Sequence, residues 1–151
     1  MKYNPLGNSS LRIAEFSLGT SIYGEDSAKG VSKKNALDLI HLYLDFGGNH
    51  IDTADVYGNG IAEEIIGKAI KNKRDQVVLS SKVGFSYQRQ IHSQGLSPAH
   101  IIQSVENSLR RLQTEYIDMY YLHLWDTDIQ IEASLEVMEG LVSSGKILGI
   151  G

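Results

Sequence analysis

Three β-prone runs in this sequence each end on an ionisable residue of a different type. His50–Asp52 closes on Asp52, Gln76–Lys82 on Lys82 and Tyr116–His123 on His123, and the segment after Asp52 carries Tyr57. If successive strands lie parallel and side by side, their last residues face a common space. A phenol is a poor acid at neutral pH, and an ammonium group held beside it favours the phenolate and makes the proton easier to give. A carboxylate paired with that ammonium keeps it charged and aimed in a dry site. An imidazole facing the same space can donate a hydrogen bond to a carbonyl oxygen. Together Asp52, Tyr57, Lys82 and His123 suit proton donation to an oxygen that gains negative charge, as when hydride reduces an aldehyde or ketone. No side chain delivers hydride, so that reaction needs an external nicotinamide.

Each residue alone has a plainer reading. Asp52 can cap a turn, Tyr57 can pack over a sheet, Lys82 can be a solvated charge and His123 a half-buried histidine with its bonds satisfied. The conjunction at successive strand ends favours chemistry.

The elements that must position these groups alternate along the chain. Short β-prone runs at Glu15–Leu18, His50–Asp52, Gln76–Lys82, Tyr116–His123 and Lys146–Ile150 are separated by segments with helical spacing. Ala36, Ile40, Tyr43 and Leu44 share one helix face, ended by Gly47 and Gly48. A second helix is expected from about Ala62 to Ile70, with Ile65, Ile66 and Ala69 inward. Ser97 followed by Pro98 marks the start of a third, whose apolar face is Ile102, Val105, Leu109 and Leu112. The fourth places Ile131, Leu135, Met138 and Leu141 on one side and stops at Gly145. A β-hairpin from Tyr3 to Ile13, turning at Gly7 and Asn8, precedes them.

This beat is that of successive βα units with a parallel sheet. Two architectures fit: a complete open doubly wound sheet of five strands, or part of a (β/α)8 barrel. The chain has 151 residues, against roughly 250 for a typical barrel. It ends on Gly149-Ile150-Gly151, within the last strand pattern, which favours the partial barrel: hairpin, four βα units and the start of strand five. No linker or charge block divides residues 1–151, so one domain is expected.

Composition narrows the class. A charged fraction of 21% and a hydrophobic fraction of 42% are those of a globular protein. A net charge of −4 offers nucleic acid no general attraction. Cysteine is absent, which removes thiolate nucleophiles and cysteine-ligated zinc. His41, His50, His92, His100 and His123 do not have metal-ligand spacing, so no metal is expected. The N-terminus lacks the apolar stretch of a secretory signal and no run is long enough to span a bilayer, so a cytoplasmic location without membrane contact is expected.

Longer motifs add a family resemblance. Gly47-Gly48-Asn49-His50-Ile51-Asp52-Thr53-Ala54-Asp55-Val56-Tyr57-Gly58, continued by Ala62-Glu63-Glu64-Ile65-Ile66-Gly67-Lys68-Ala69, resembles the aldo-keto reductase signature. Val77 to Val83 looks like that family's lysine strand. Ser108-Leu109-Arg110-Arg111-Leu112, then Tyr116 to His123, looks like its histidine strand, and Gly145 to Gly151 is similar to its fifth-strand segment. The resemblance covers essentially the whole chain as the N-terminal half of such an enzyme. It implies an NADPH-dependent reductase of aldehydes and ketones, working on a small carbonyl compound or its alcohol. Tyr57 would be the general acid, Lys82 its activating partner, Asp52 the partner of Lys82, and His123 the residue that orients the carbonyl. Gly19, Thr20, Ser21 and Asp52 would lie at the nicotinamide ribose, and Tyr23 and Trp125 would line the substrate pocket. Trp125-Asp126, in place of the usual Pro-Asp, together with Gly95-Leu96-Ser97, resembles the aryl-alcohol dehydrogenase-like branch.

In that family the Ser-Asn pair holding the nicotinamide amide would begin one residue past Gly151, and most of the NADPH site would follow it. Lys71, Lys73 and Arg74 do not replace that site and read as a helix C-terminus matched to its dipole. Two alternatives to a truncated reductase stand beside it. One is an inactive half-barrel that self-associates through open strand edges. The other is a regulatory or binding protein of the same fold.

Overall fold

The computed structural model describes residues 1–24, 30–85 and 95–151. An antiparallel hairpin opens the chain, β1 (Tyr3–Pro5) pairing with β2 (Arg12–Ala14). Four parallel strands follow: β3 (Leu18–Gly19), β4 (His50–Asp52), β5 (Val78–Val83) and β6 (Met119–Leu122). The helices are α1 (Lys33–Asp45), α2 (Ile61–Ile70), α3 (Pro98–Leu112) and α4 (Ile131–Ser143). The strands sit across the sheet in the order β3-β4-β5-β6. Unbroken sequential order is how a (β/α)8 barrel is wound; a doubly wound sheet reverses at a switch point. Residues 146–151 extend the sheet beside β6, through parallel bridges from Ile117 to Ile147 and Tyr120 to Ile150. The sheet is an open arc, not a closed barrel.

The core lies between sheet and helices. Ile40, Ile51, Ile66, Leu79, Ile101 and Tyr120 are fully buried in it. Strands β4 and β5 are covered on both sides, as expected of a parallel sheet. Helix starts follow local chemistry: the Ser97 hydroxyl accepts from the His100 backbone N–H at 3.3 Å, with Pro98 in the first turn.

Some expected bounds shift for identifiable reasons. Of the first run only Leu18 joins the parallel sheet, followed by Gly19, because the Glu15 N–H is spent on the Lys2 carbonyl of the hairpin, at 2.9 Å. The third run begins at Val78, since Arg74–Gln76 forms a short 3-10 turn. On α3 the buried arc comprises His100, Ile101, Ser104, Val105, Ser108, Leu109 and Leu112, and Ile102 is 47% exposed. Two serines occupy the centre of that face, so counting apolar residues alone rotates it towards Ile102. On α4 Ser134 takes an inward place and Leu135 is 38% exposed.

Gly67 marks the tightest helix contact. A Cβ there would stand 2.6 Å from the Leu112 carbonyl oxygen, a backbone atom that cannot move aside. Gly67→Ala is therefore expected to destabilise the fold by about 1–3 kcal/mol despite alanine's better helix propensity. A urea titration would show it, and an unchanged midpoint would contradict the contact. Among the described residues no helix is long and apolar enough to cross a membrane.

Candidate active site

The parallel register brings the strand ends together. Gly19 lies opposite Asp52, Asp52 opposite Ser80, and Lys82 opposite Tyr121. Beyond β4 the chain stays tied to β5, the Thr53 N–H donating to the Ser80 carbonyl at 3.0 Å and the Asp55 N–H to that of Lys82 at 3.3 Å. The His123 N–H continues the ladder past β6 by donating to the Val83 carbonyl at 2.8 Å. The backbone thus fixes where Asp52, Lys82 and His123 begin.

Lys82 is the hub. Its ammonium donates to Asp52 Oδ2 at 2.7 Å and to the Thr53 carbonyl at 2.8 Å, with the side chain 15% exposed. It stands 5.1 Å from the centre of the Tyr57 ring. Tyr57 opens the short turn Tyr57–Gly60, in which Gly58 and Gly60 hold left-handed φ of 55° and 90°. A Cβ on Gly58 would meet the Tyr23 carbonyl oxygen at 2.6 Å, so only glycine lets the turn close against that backbone.

His123 lies edge-on to Tyr57, ring centres 5.8 Å apart, and edge-on to Phe85 at 5.0 Å. Burial, then the Lys82 charge, hold its imidazole below the usual histidine value, against an opposing pull from Asp52. Its Nδ1 is buried and has no hydrogen-bond partner among the described residues. Both shifts favour neutral imidazole near neutral pH, which fits a hydrogen-bond donor better than a charged acid.

The remaining candidates are placed differently from one another. Thr20 is fully buried and its hydroxyl donates to the Asp52 carbonyl at 2.9 Å, while Gly19 and Ser21 are exposed beside it. Nothing lies within 4 Å of where a Gly19 Cβ would be, so this strand end is open. Trp125 is 75% exposed, whereas Tyr23 is 3% exposed and belongs to the hydrophobic core. Asp126 spans to the other loop: Oδ2 accepts from the Leu96 N–H at 2.8 Å and Oδ1 from the Asp128 N–H at 3.0 Å, which holds its carboxyl below the usual range.

Two participants escape a reading of the strand ends. Phe85 packs on His123, and its position just past β5 was the available signal. Thr53 supplies a carbonyl, which no side-chain pattern announces. Arg74 is not a dipole-matched helix terminus: it binds Asp118 at 2.7 Å, Thr114 Oγ1 at 2.9 Å and the carbonyls of Val77 and Tyr116. Lys73 reaches Asp45 at 3.7 Å. His50 is held between the hydroxyls of Ser17 and Ser80, both at 2.6 Å. Among the described residues no group of three or more His, Cys, Asp or Glu could hold a metal ion.

Known proteins resemble this chain in sequence and in fold. The pattern of the aldo/keto reductase family matches residues 15–151. Aldo-keto reductase YhdN of Bacillus subtilis is 40% identical over all of this chain and 46% of its own length. The holo form of aldo-keto reductase AKR11C1 from Bacillus halodurans superposes with a TM-score of 0.88 at 35% identity, over 100% of this chain and 50% of that one. An aldo-keto reductase from Klebsiella pneumoniae in complex with NADPH superposes with a TM-score of 0.78 at 41% identity, covering 93% of this chain and 45% of that one. The chain therefore spans about half the length of these relatives, and its open arc corresponds to part of their (β/α)8 barrel. On sequence and on fold alike, the chain belongs to the aldo-keto reductase family.

Proposed function

We propose that residues 1–151 form a single domain supplying the proton-donating part of an NADPH-dependent aldehyde and ketone reductase site. The observation that carries this reading is the Lys82 ammonium, seated 2.7 Å from Asp52 and 5.1 Å from the centre of the Tyr57 ring, with His123 edge-on to that ring. The Tyr57 hydroxyl donates its proton to the substrate oxygen. The Lys82 charge stabilises the phenolate that forms, and Asp52 keeps the ammonium charged and aimed. His123, neutral, donates a ring N–H to the same oxygen and aligns the carbonyl. With its buried Nδ1 facing no partner, the proton belongs on Nε2.

Gly19, Thr20, Ser21 and Asp52 would hold the nicotinamide ribose, at a strand end open enough to receive it. NADPH, when bound, supplies the hydride. The NADPH complex of the Klebsiella relative supports that cofactor. Exposed Trp125 offers an aromatic wall to a small carbonyl substrate or its alcohol, and enclosed Tyr23 backs the Tyr57 turn from behind.

Tyr57→Phe removes the transferable proton and little else. It is expected to lower carbonyl reduction about 10²–10⁴-fold, with NADPH binding, followed by fluorescence, unchanged. The assay is NADPH oxidation with an aromatic aldehyde, using this chain alone and joined to the C-terminal half of the Bacillus subtilis relative. A Tyr57→Phe rate equal to wild type in the joined form would overturn the assignment.

One observation favours a second reading for the chain by itself. Phe85, Trp125 and Leu148 are 49%, 75% and 51% exposed on an unclosed arc, which a second copy could cover. Sedimentation equilibrium separates the two, since a folded monomer excludes obligate pairing.

A further inference from the structure

Beneath the turn that carries Tyr57 lies a buried charge cluster with no part in the reaction above. Glu63, in the first turn of α2, has a side chain with no exposed surface. Its Oε1 accepts from the Ser81 hydroxyl at 2.7 Å and its Oε2 from Arg111 Nε at 2.6 Å. Asp55 brings a second carboxyl to the same place, and its Oδ1 is buried with no hydrogen-bond partner among the described residues. The hydroxyl of Tyr120, a fully buried residue of β6 near both carboxyls, also has no hydrogen-bond partner among the described residues.

Two carboxylates facing one guanidinium would leave an uncompensated negative charge out of water. Neutralising one by protonation is the cheaper arrangement. Both Glu63 oxygens are occupied by donors, one of them cationic, so the charge belongs on Glu63 and the proton on Asp55. We infer that Asp55 is held as the neutral acid beside the Glu63–Arg111 ion pair, and that this buried proton fixes the turn from which Tyr57 projects.

The chain is held on both sides of the turn. Asp55 lies two residues before it, with its N–H on the Lys82 carbonyl. Gly60 ends it, packed so closely on Arg111 that a Cβ would stand 2.7 Å from Arg111 Cδ. Asp55 is thus a positioning residue. That role rests on the reading of Tyr57 as the acid, whereas the proton itself does not.

The electrostatics agree with the geometry. Burial first, then the Glu63 charge, push the Asp55 carboxyl up to about 7, against Arg111, the Val56 N–H and Ser104. The groups facing it are Glu63 from α2, Arg111 and Ser104 from α3, and Tyr120 from β6. His100 in turn contacts Ser104 at 3.4 Å. Because the folded value lies above that of the unfolded chain, the folded state keeps a proton that the unfolded state releases. Stability therefore falls as pH rises from about 4 to about 7, by at most about tenfold in the folding constant per pH unit, and levels off above.

The test is urea unfolding of the full chain across pH 4 to 8 for wild type, Asp55→Asn and Asp55→Ala. Asparagine copies the neutral acid and cannot lose a proton. Asp55→Asn should match wild type near pH 4, lack the fall that follows and exceed wild-type stability at pH 8, while Asp55→Ala is less stable than Asp55→Asn throughout. An Asp55→Asn profile parallel to wild type, or below it at pH 8, overturns the proton. Should Asp55→Asn not fold, isotope-edited infrared of wild type labelled at aspartate decides: a protonated carboxyl band at pH 6 supports the inference and its absence rejects it. Amide NMR reads the positioning role separately. Signals of residues 55–60 should move through pH 7 in wild type and stay fixed in Asp55→Asn, and their staying fixed in both would remove that role. None of these readings depends on reductase turnover.

Discussion

Lys82→Met is expected to reduce carbonyl turnover by about 10²–10⁴-fold, with the fold kept. Methionine retains the apolar stem that packs along the strand end and removes only the charge. What is lost is specific: the ammonium bonded to Asp52 at 2.7 Å and to the Thr53 carbonyl at 2.8 Å, lying 5.1 Å from the Tyr57 ring centre. Without it the phenolate left by proton donation has no cation beside it, and the cost falls in the transition state more than in substrate binding. A fall in kcat with KM little changed is therefore expected in the joined, turning-over form. Lys82→Arg should rescue only part of the rate, because a planar guanidinium cannot reproduce a compact ammonium shared between two close oxygens. A Lys82→Met rate within tenfold of wild type would remove Lys82 from the acid machinery. Asp52 has a side chain 34% exposed, so water can take over part of the pairing it loses and folding should suffer little.

Asp118→Ala is expected to cost about 3–5 kcal/mol of folding stability, read from urea midpoints. The carboxylate, 6% exposed, accepts from Arg74 Nη2 at 2.7 Å and from the Leu79 N–H at 2.9 Å. Removing it strands a guanidinium that is itself only 15% exposed. That guanidinium also bonds Thr114 and the carbonyls of Val77 and Tyr116 and lies 3.9 Å over the Tyr116 ring. One group therefore joins the turn before β5 to the approach to β6, the two strands that carry Lys82 and lead to His123. Small domains hold only about 5–15 kcal/mol in total, so roughly a fifth of the stability or more is at stake. A change below about 1 kcal/mol would show that the rest of the Arg74 network suffices.

Much of this was legible in the sequence because it depends on local rules. The alternation of β-prone runs with helical spacing announces βα units, since burial on both faces of a strand and on one face of a helix leaves different periods. Ser97-Pro98 announces a helix start because the cap and the missing N–H act within one turn. Asp52, Lys82 and His123 stand out because each is an ionisable residue ending an apolar run. Their convergence needs only the parallel register, which the βα beat implies.

What the sequence could not show depends on contacts between distant segments. Ile101 rather than Ile102 faces inward because the buried arc of α3 runs through Ser104 and Ser108, which an apolar count leaves out. Arg74 reads as a helix terminus until β6 brings Asp118 beside it. Tyr23 sits next to pocket-forming residues in the chain, yet the turn at Gly58 closes over its backbone and it becomes core. Asp55 lies inside the same signature as Asp52 and looks no different from it. Asp52 meets Lys82, whereas Asp55 turns a buried Oδ1 towards Glu63, whose carboxylate already takes the Arg111 cation. The sequence by itself determined which groups stand at the strand ends, because register follows from pattern. Only the tertiary structure decided which carboxyl carries a charge, because that depends on burial and on neighbours brought from other strands and helices.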